Sequence, residues 1–323
     1  MYIALVALAA GFLSPPGALA TTPVRWPHMS TISPPTPRIF NVTDYGALGD
    51  GVTDDVGHVK QAVAAAVEAG GGTVYLPTGT YLLYANERID DPDNAMQVNL
   101  KLEDGVTFKG DGIGRTILTM AGPSYASGFG SIRGTDVHIK DLSITTDHAT
   151  HNRDGDGIKL EGVTDSSFAH VFAENQYIAY AVIGCQDVTF RGCVAKATSL
   201  NFSVSVADAF PDCSDILLDR CESSDSEQCG FWAYHDDGSA STRVKTVTFR
   251  YCLAHDNRGA GFYSKWSDRC TWDGCTSTKN AWGFYLIHAK NYVVTHCKAR
   301  RNTASGFRCI LSSARRRQGV ASG

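Results

Sequence analysis

Along the second half of the chain, short runs of alternating apolar and polar residues recur behind a small or turn-forming residue. Six segments open in this way: GIKLEG from Gly157, IAYAVIG from Ile178, NFSVSV from Asn201, GFWAYH from Gly230, GFYSKW from Gly261 and GFYLIH from Gly283. Each is followed by a second short strand (SSFAHV, VTFRGC, ILLDRC, VTFRYC, CTWDGC and YVVTHC). Five of these end on a cysteine: Cys193, Cys221, Cys252, Cys275 and Cys297. The cysteines lie 28, 31, 23 and 22 residues apart. A unit of that length cannot bury a core of its own, so neighbouring units must stack as a solenoid. The period is two and not 3.6, which predicts an all-β fold, a parallel β-helix.

Alternation assigns faces to side chains, and stacking at roughly 4.8 Å lines them up in columns. One residue past each opening stand Ile158, Ala179, Phe202, Phe231, Phe262, Phe284 and Phe307, the expected interior. Two past it stand Lys159, Tyr180, Ser203, Trp232, Tyr263, Tyr285 and Arg308, the expected exterior. An outward row of flat aromatic rings with polar tips suits the faces of sugars.

The cysteine column reads as an interior stack of small apolar side chains. Parallel side chains oppose disulfides within it. Cys185 and Cys213, both eight residues before a column cysteine, are candidate neighbours for pairing. Five residues after the column, Asn257, Asn280 and Asn302 recur, where asparagine tolerates left-handed backbone and stacked amides bond along the axis.

Composition narrows the class. The 323 residues carry a net charge of −4, and no basic stripe appears before Arg315, Arg316 and Arg317, which argues against a nucleic-acid partner. The apolar run in residues 1–20 ends at Ala20 and reads as a secretory signal, too short for a membrane span. Residues 21–38 read as a linker, 39–310 as one β-helix domain with a helix over 54–69, and 311–323 as a tail. The last coil, from Gly306, then lacks a second strand, which reads either as an edge that a partner subunit covers or as a truncated or frameshifted sequence.

The entry to the solenoid reads FNVTDYGALGDGVTDDVGHVKQAVAAAVEAGGGTVYLPTGTYLL, from Phe40 to Leu83. Asp54 and Asp55 are expected to cap the helix and Gly70 to Gly72 to end it. This stretch resembles the opening of the pectate lyase-like superfamily. The resemblance implies a right-handed parallel β-helix and a secreted protein acting on polysaccharide, its substrate lying along the outer face of the stacked sheet. Lyases, hydrolases, epimerases and phage tailspikes share this fold, so only the site can choose among them.

Loop lengths point to a site. From opening residue to the column position the distances are 14, 15, 20, 22, 14 and 14 residues, so the coils opening at Asn201 and Gly230 carry insertions on one side. The loops ADAFPDCSD and HDDGSASTRVK are expected to wall a cleft beside Trp232. Four past each opening stand Glu161, Val182, Ser205, Tyr234, Lys265 and Ile287, which makes Tyr234 and Lys265 neighbours. With His235 they are candidate acid and base for β-elimination from a uronate. Asp208, Asp237 and Asp268, seven past, are catalytic candidates or ligands for Ca²⁺, with strand-end turns as the alternative. Asp154 and Asp156 suggest a hydrolase pair, with a glycine-bounded turn as the alternative. A glycan-binding β-helix without turnover is the reading outside enzymes.

Overall fold

The computed structural model describes residues 38–310 except 93, 124, 147–154, 208 and 236–243. The expected leader (1–20), the tail (311–323) and the linker up to residue 37 therefore lie outside the described residues. Among the described residues no helix is long and apolar enough to cross a membrane.

Two sheets wind around one core. The smaller has ten strands, among them Ile158–Glu161, Ile178–Ile183, Leu200–Ser205, Phe231–Tyr234, Ala260–Lys265, Trp282–Ile287 and Ser305–Ile310, in parallel pairing. The larger has 18 strands and folds into two walls. His138–Thr146 shows how: residues 138–140 pair with the strand Val106–Lys109, and residues 143–146 with Thr116–Ala121. Asp141, at φ 60°, makes the corner between them. Each coil thus crosses three walls, one more than the two strands the repeat predicts: the third is a short strand after the cysteine, such as Leu253–His255 or Thr276–Thr278.

The interior is a stack of rings. Phe202, Phe231, Phe262, Phe284 and Phe307 stack nearly parallel with centroids 4.7 to 4.9 Å apart, and Phe307, expected inside, is 54% exposed because it ends the stack on the last described coil. The spacing is that of the coils themselves, so each ring contact adds to apolar burial without straining the ladder. The ring below Phe202 is Tyr180, 4.6 Å away and buried. This corrects the expected columns: the partner of Ile158 and Phe202 is Tyr180, not Ala179. Ile178 pairs with Leu200, so Ala179 holds the place that glycine takes elsewhere. The one-residue slip exchanges the faces of that whole strand. Tyr180 goes inside because its hydroxyl finds the carbonyls of Val171 (2.7 Å) and Val194 (3.2 Å).

The cysteine column is interior, and each thiol donates to a carbonyl one coil back: Cys193 to Phe168, Cys221 to Phe190, Cys252 to Leu218, Cys275 to Phe249 and Cys297 to Trp272. The suggested Cys185–Cys213 disulfide is absent: both thiols are free and buried. Burial pushes Cys185 up to about 12 and Cys270 up to about 11, which leaves them unreactive.

The asparagines form a ladder. The amide N–H and the side-chain Nδ2 of Asn257 both donate to Asn280 Oδ1, each at 2.9 Å, and Asn280 N–H donates to Asn302 Oδ1 at 2.9 Å. Left-handed backbone falls one residue earlier than expected, at Asp256, Lys279 and Arg301. The glycine that follows each turn is there for space: a Cβ at Gly230 would overlap Ser223 and Asn257.

At the entry, the helix Val56–Glu68 buries Val56, Val59, Ala62, Val63 and Ala66 against the first strands. Asp54 accepts from Val56 N–H at 3.1 Å. Asp55 does not cap the helix; its buried carboxylate accepts from Leu48 and Gly49 N–H and fixes the preceding loop.

Candidate active site

The outer face of the small sheet carries the expected columns, with the slip at one coil. In register stand Lys159, Ala181, Ser203, Trp232, Tyr263, Tyr285 and Arg308. Beside them run Glu161, Ile183, Ser205, Tyr234, Lys265, Ile287 and Ile310. Trp232, Tyr263 and Tyr285 share one outer wall. Trp232 meets Tyr263 edge to face at 5.2 Å, and Tyr263 meets Tyr285 likewise at 5.6 Å. Arg308 lies over the Tyr285 ring at 4.9 Å. Tyr180 and Val182 are buried and take no part in this face.

Tyr234 and Lys265 are direct register partners, and Lys265 Nζ lies 5.2 Å from the Tyr234 ring centroid. A cation over a ring face is held there by the ring quadrupole. Trp232 meets Tyr234 edge to face at 4.9 Å. His235 lies just past the strand end, is buried, and its backbone N–H donates to the Lys265 carbonyl at 3.1 Å.

A cavity of about 260 Å³ opens beside this pair, lined by Tyr177, Ile178, Leu200, Ser203, Trp232 and Tyr234 among others. Asp156 sits one coil back, in register with the lining residue Ile178. It is 9% exposed, and its Oδ1 has no hydrogen-bond partner among the described residues. Burial pushes its carboxyl up to about 7; Lys159 opposes the rise and the charge of Glu161 adds to it. Glu161 is buried too, 3.2 Å from Lys159 Nζ and 2.6 Å from Asn94 Nδ2. Its carboxylate thus holds Lys159 and Asn94 together. One end of the groove thus holds Asp156 and Lys159, the other Tyr234 and Lys265.

The loop after Val206 does not simply flank Trp232. Phe210 packs where a Cβ at Gly162 or Gly184 would stand, both at positive φ, so only glycine fits beneath it. Arg133 lies over the Phe210 ring at 5.1 Å, bonds Asp91 at 2.9 Å and reaches the Ala209 carbonyl at 3.4 Å. The loop therefore leans toward the Asp156 end. Arg133 and Asn94 were not foreseeable, since the hairpin formed by Glu87–Asp90 and Ala95–Lys101 lies outside the coil repeat.

The remaining candidates do not converge. Asp154, Asp208 and Asp237 lie outside the described residues. Asp268 accepts from Asn291 Nδ2 at 2.8 Å and lies 3.8 Å from Arg269 Nε, the bonding of a turn residue. Among the described residues, no three acidic, histidine or cysteine side chains group as a cation site. The scattered histidines mostly pair with neighbouring acids: His138 with Asp136, His170 with Asp141, His255 with Glu222 and His296 with Asp273.

Known proteins give this arrangement a context. The chain is 25% identical over 271 residues to mannuronan C5-epimerase AlgE5 of Azotobacter vinelandii, 83% of this chain and 22% of that one. It is 35% identical over 135 residues to alginate lyase 7 of the same organism, 40% of this chain and 14% of that one. It thus spans less than a quarter of these relatives' length. Among solved structures, the A-module of A. vinelandii mannuronan C-5 epimerase AlgE4 superposes with a TM-score of 0.65 at 20% identity, covering 83% of this chain and 79% of that one. The Streptococcus pneumoniae surface adhesin PfbA does so with 0.52 at 14% identity, covering 86% and 76%. A family model matches residues 39–285, nearly the whole stack of coils, and with it the chain belongs to the rhamnogalacturonase A/epimerase, pectate lyase-like family.

Proposed function

We propose that this protein is an enzyme acting on a uronic-acid-containing polysaccharide, and that its first chemical step removes the proton at C5, beside the uronate carboxylate. The observation that carries this reading is the Tyr234–Lys265 pair, one coil apart on an aromatic outer wall. That carbon acid is weak, so the step needs a base, a proton donor and positive charge against the carboxylate. Lys265 and Tyr234 supply a proton-transfer pair, and Lys159 and Arg308 supply cations along the same face. The partial likeness to mannuronan C5-epimerases and to an alginate lyase supports the reading, because epimerisation and β-elimination share this step. An extracellular setting fits the leader expected at residues 1–20.

The test is turnover of mannuronate, guluronate and galacturonate polymers in deuterium oxide, with and without added Ca²⁺. Deuterium at C5 with an altered epimer ratio identifies an epimerase; ultraviolet absorbance from unsaturated chain ends identifies a lyase. Reducing ends without either overturn the proposal in favour of hydrolysis, and binding without any product overturns it in favour of a glycan-binding protein.

A further inference from the structure

The register of the large sheet assembles a surface that chain order conceals. One column runs Lys109, Lys140, Ala169, Arg191, Asp219, Arg250 and Asp273, each residue paired with the next. The residues just before them, from Phe108 and Ile139 to Phe249 and Trp272, are buried, so this column points outward. The expectation that no basic stripe exists is thereby corrected. The four cations are dispersed over coils of unequal length, and only the pairing aligns them.

Asp219 is the hub. Its buried carboxylate is met by Arg250 Nε at 3.0 Å, Arg220 Nη1 at 3.1 Å and Arg191 Nε at 3.4 Å. These arginine side chains are 40 to 66% exposed. Arg220 sits at the corner with φ 53° and lies over the exposed ring of Tyr251 at 5.5 Å. Lys109 and Lys140 have no acid within ion-pairing distance among the described residues. The neighbouring acids are occupied: Asp141 by His170 at 3.1 Å, and Asp273 by His296 at 2.9 Å. Five cations therefore cluster around the enclosed carboxylate of Asp219, with Asp273, bonded to His296, at the far end of the column.

We infer that this corner, on the wall pair opposite the small sheet, is a second binding surface for an anionic polysaccharide with one carboxylate per sugar. Charge spacing chooses that partner. The column offers four cations over seven coils, Lys109 and Lys140 one coil apart and Arg191 and Arg250 at two-coil intervals beyond them, roughly 5 to 10 Å apart, a spacing that a chain with one charge per sugar can meet. The net charge of −4 opposes duplex DNA, whose two strands together carry a charge about every 1.7 Å of helix axis. Asp219 engages Nε of Arg191 and Arg250, which leaves their terminal nitrogens for a planar, bidentate carboxylate. The inference shares its ligand class with the proposed function but none of its residues.

The test compares the full-length protein with Lys109→Ser/Lys140→Ser and Lys109→Arg/Lys140→Arg, using long polyguluronate, polymannuronate and polygalacturonate in affinity gels over a salt series. Circular dichroism confirms folding of each. The serine pair should weaken retention about tenfold at low salt and flatten the salt dependence by up to about one unit per lysine. The arginine pair should restore both. Turnover of short oligouronates should be unchanged. Retention that does not depend on the lysines, or no retention at all, overturns the inference even if turnover is intact. Lysine-dependent retention of duplex DNA without polyuronate retention overturns it in favour of a nucleic-acid surface. Lysine-dependent retention without turnover leaves the inference standing and removes the proposed chemistry.

Discussion

The ammonium of Lys265 lies 5.2 Å from the centre of the Tyr234 ring on the adjacent coil, and Tyr234 in turn lines a cleft of about 260 Å³ on the aromatic wall. Lys265→Ala and Tyr234→Phe should each lower turnover of the preferred polyuronate by about 10²- to 10⁴-fold. Neither should cost more than about 1 kcal/mol of stability, because the cation–π contact is partly solvated. Steady-state rates and urea unfolding check both halves of the expectation; a turnover loss that merely tracks unfolding would remove the pair from the chemistry.

Asp156 gives a pH signature. Its folded-state pKa of about 7 lies above the ordinary aspartate value near 4, so the native state holds the proton more tightly than the unfolded chain. Stability from this group is present below about pH 4 and is lost as pH rises toward about 7, by a few kcal/mol at most. Asp156→Asn should flatten that decline, so that the variant is the more stable protein at pH 8. Urea midpoints at pH 5 and pH 8 read this directly.

Tyr180 and Tyr285 should behave oppositely despite their similar places in the repeat. Tyr180→Phe leaves two carbonyls without their shared donor and should cost about 1 to 2 kcal/mol, with polysaccharide affinity unchanged. Tyr285→Ala should weaken binding with a smaller stability cost. Thermal melts and affinity gels on both variants separate the roles.

Within the asparagine ladder, Asn280 accepts from Asn257 and donates to the Ala254 carbonyl and Ser277 Oγ. Asn280→Ala removes all of these in a buried site and should cost about 2 to 4 kcal/mol. Asn302→Ala, in a less buried place, should cost less. Equal losses at both positions would show that the ladder acts as one cooperative unit.

The reasons why parts of this molecule were legible differ by residue. Phe231, Phe262 and Phe284, with Trp232, Tyr263 and Tyr285 beside them, were readable because each coil opens on a glycine that a side chain would displace. The sequence places Tyr180 outside because Ala179 stands where those coils carry glycine and Ile178 resembles an opening residue one position early. In a strand, one residue is the difference between core and surface. The sequence offers Asp156 as half of a carboxylate pair or as a turn residue, without its burial. Its raised pKa arises from burial and from Glu161, neither of which spacing reveals. Arg133 and Asn94 belong to a hairpin beside the repeat, and the basic column is spread over coils of unequal length. Both are products of pairing.

The short return to each new coil, fixed by the asparagines and the close-packed glycines, separates architecture from recognition. Register is set in the returns before each strand of the small sheet, whereas the segment around Phe210 follows such a strand, so it can lengthen with little penalty beyond chain-closure entropy, about 0.6 kcal/mol for a doubling. A scaffold built this way can exchange the ligand it selects by swapping one rim, while the stack beneath stays untouched.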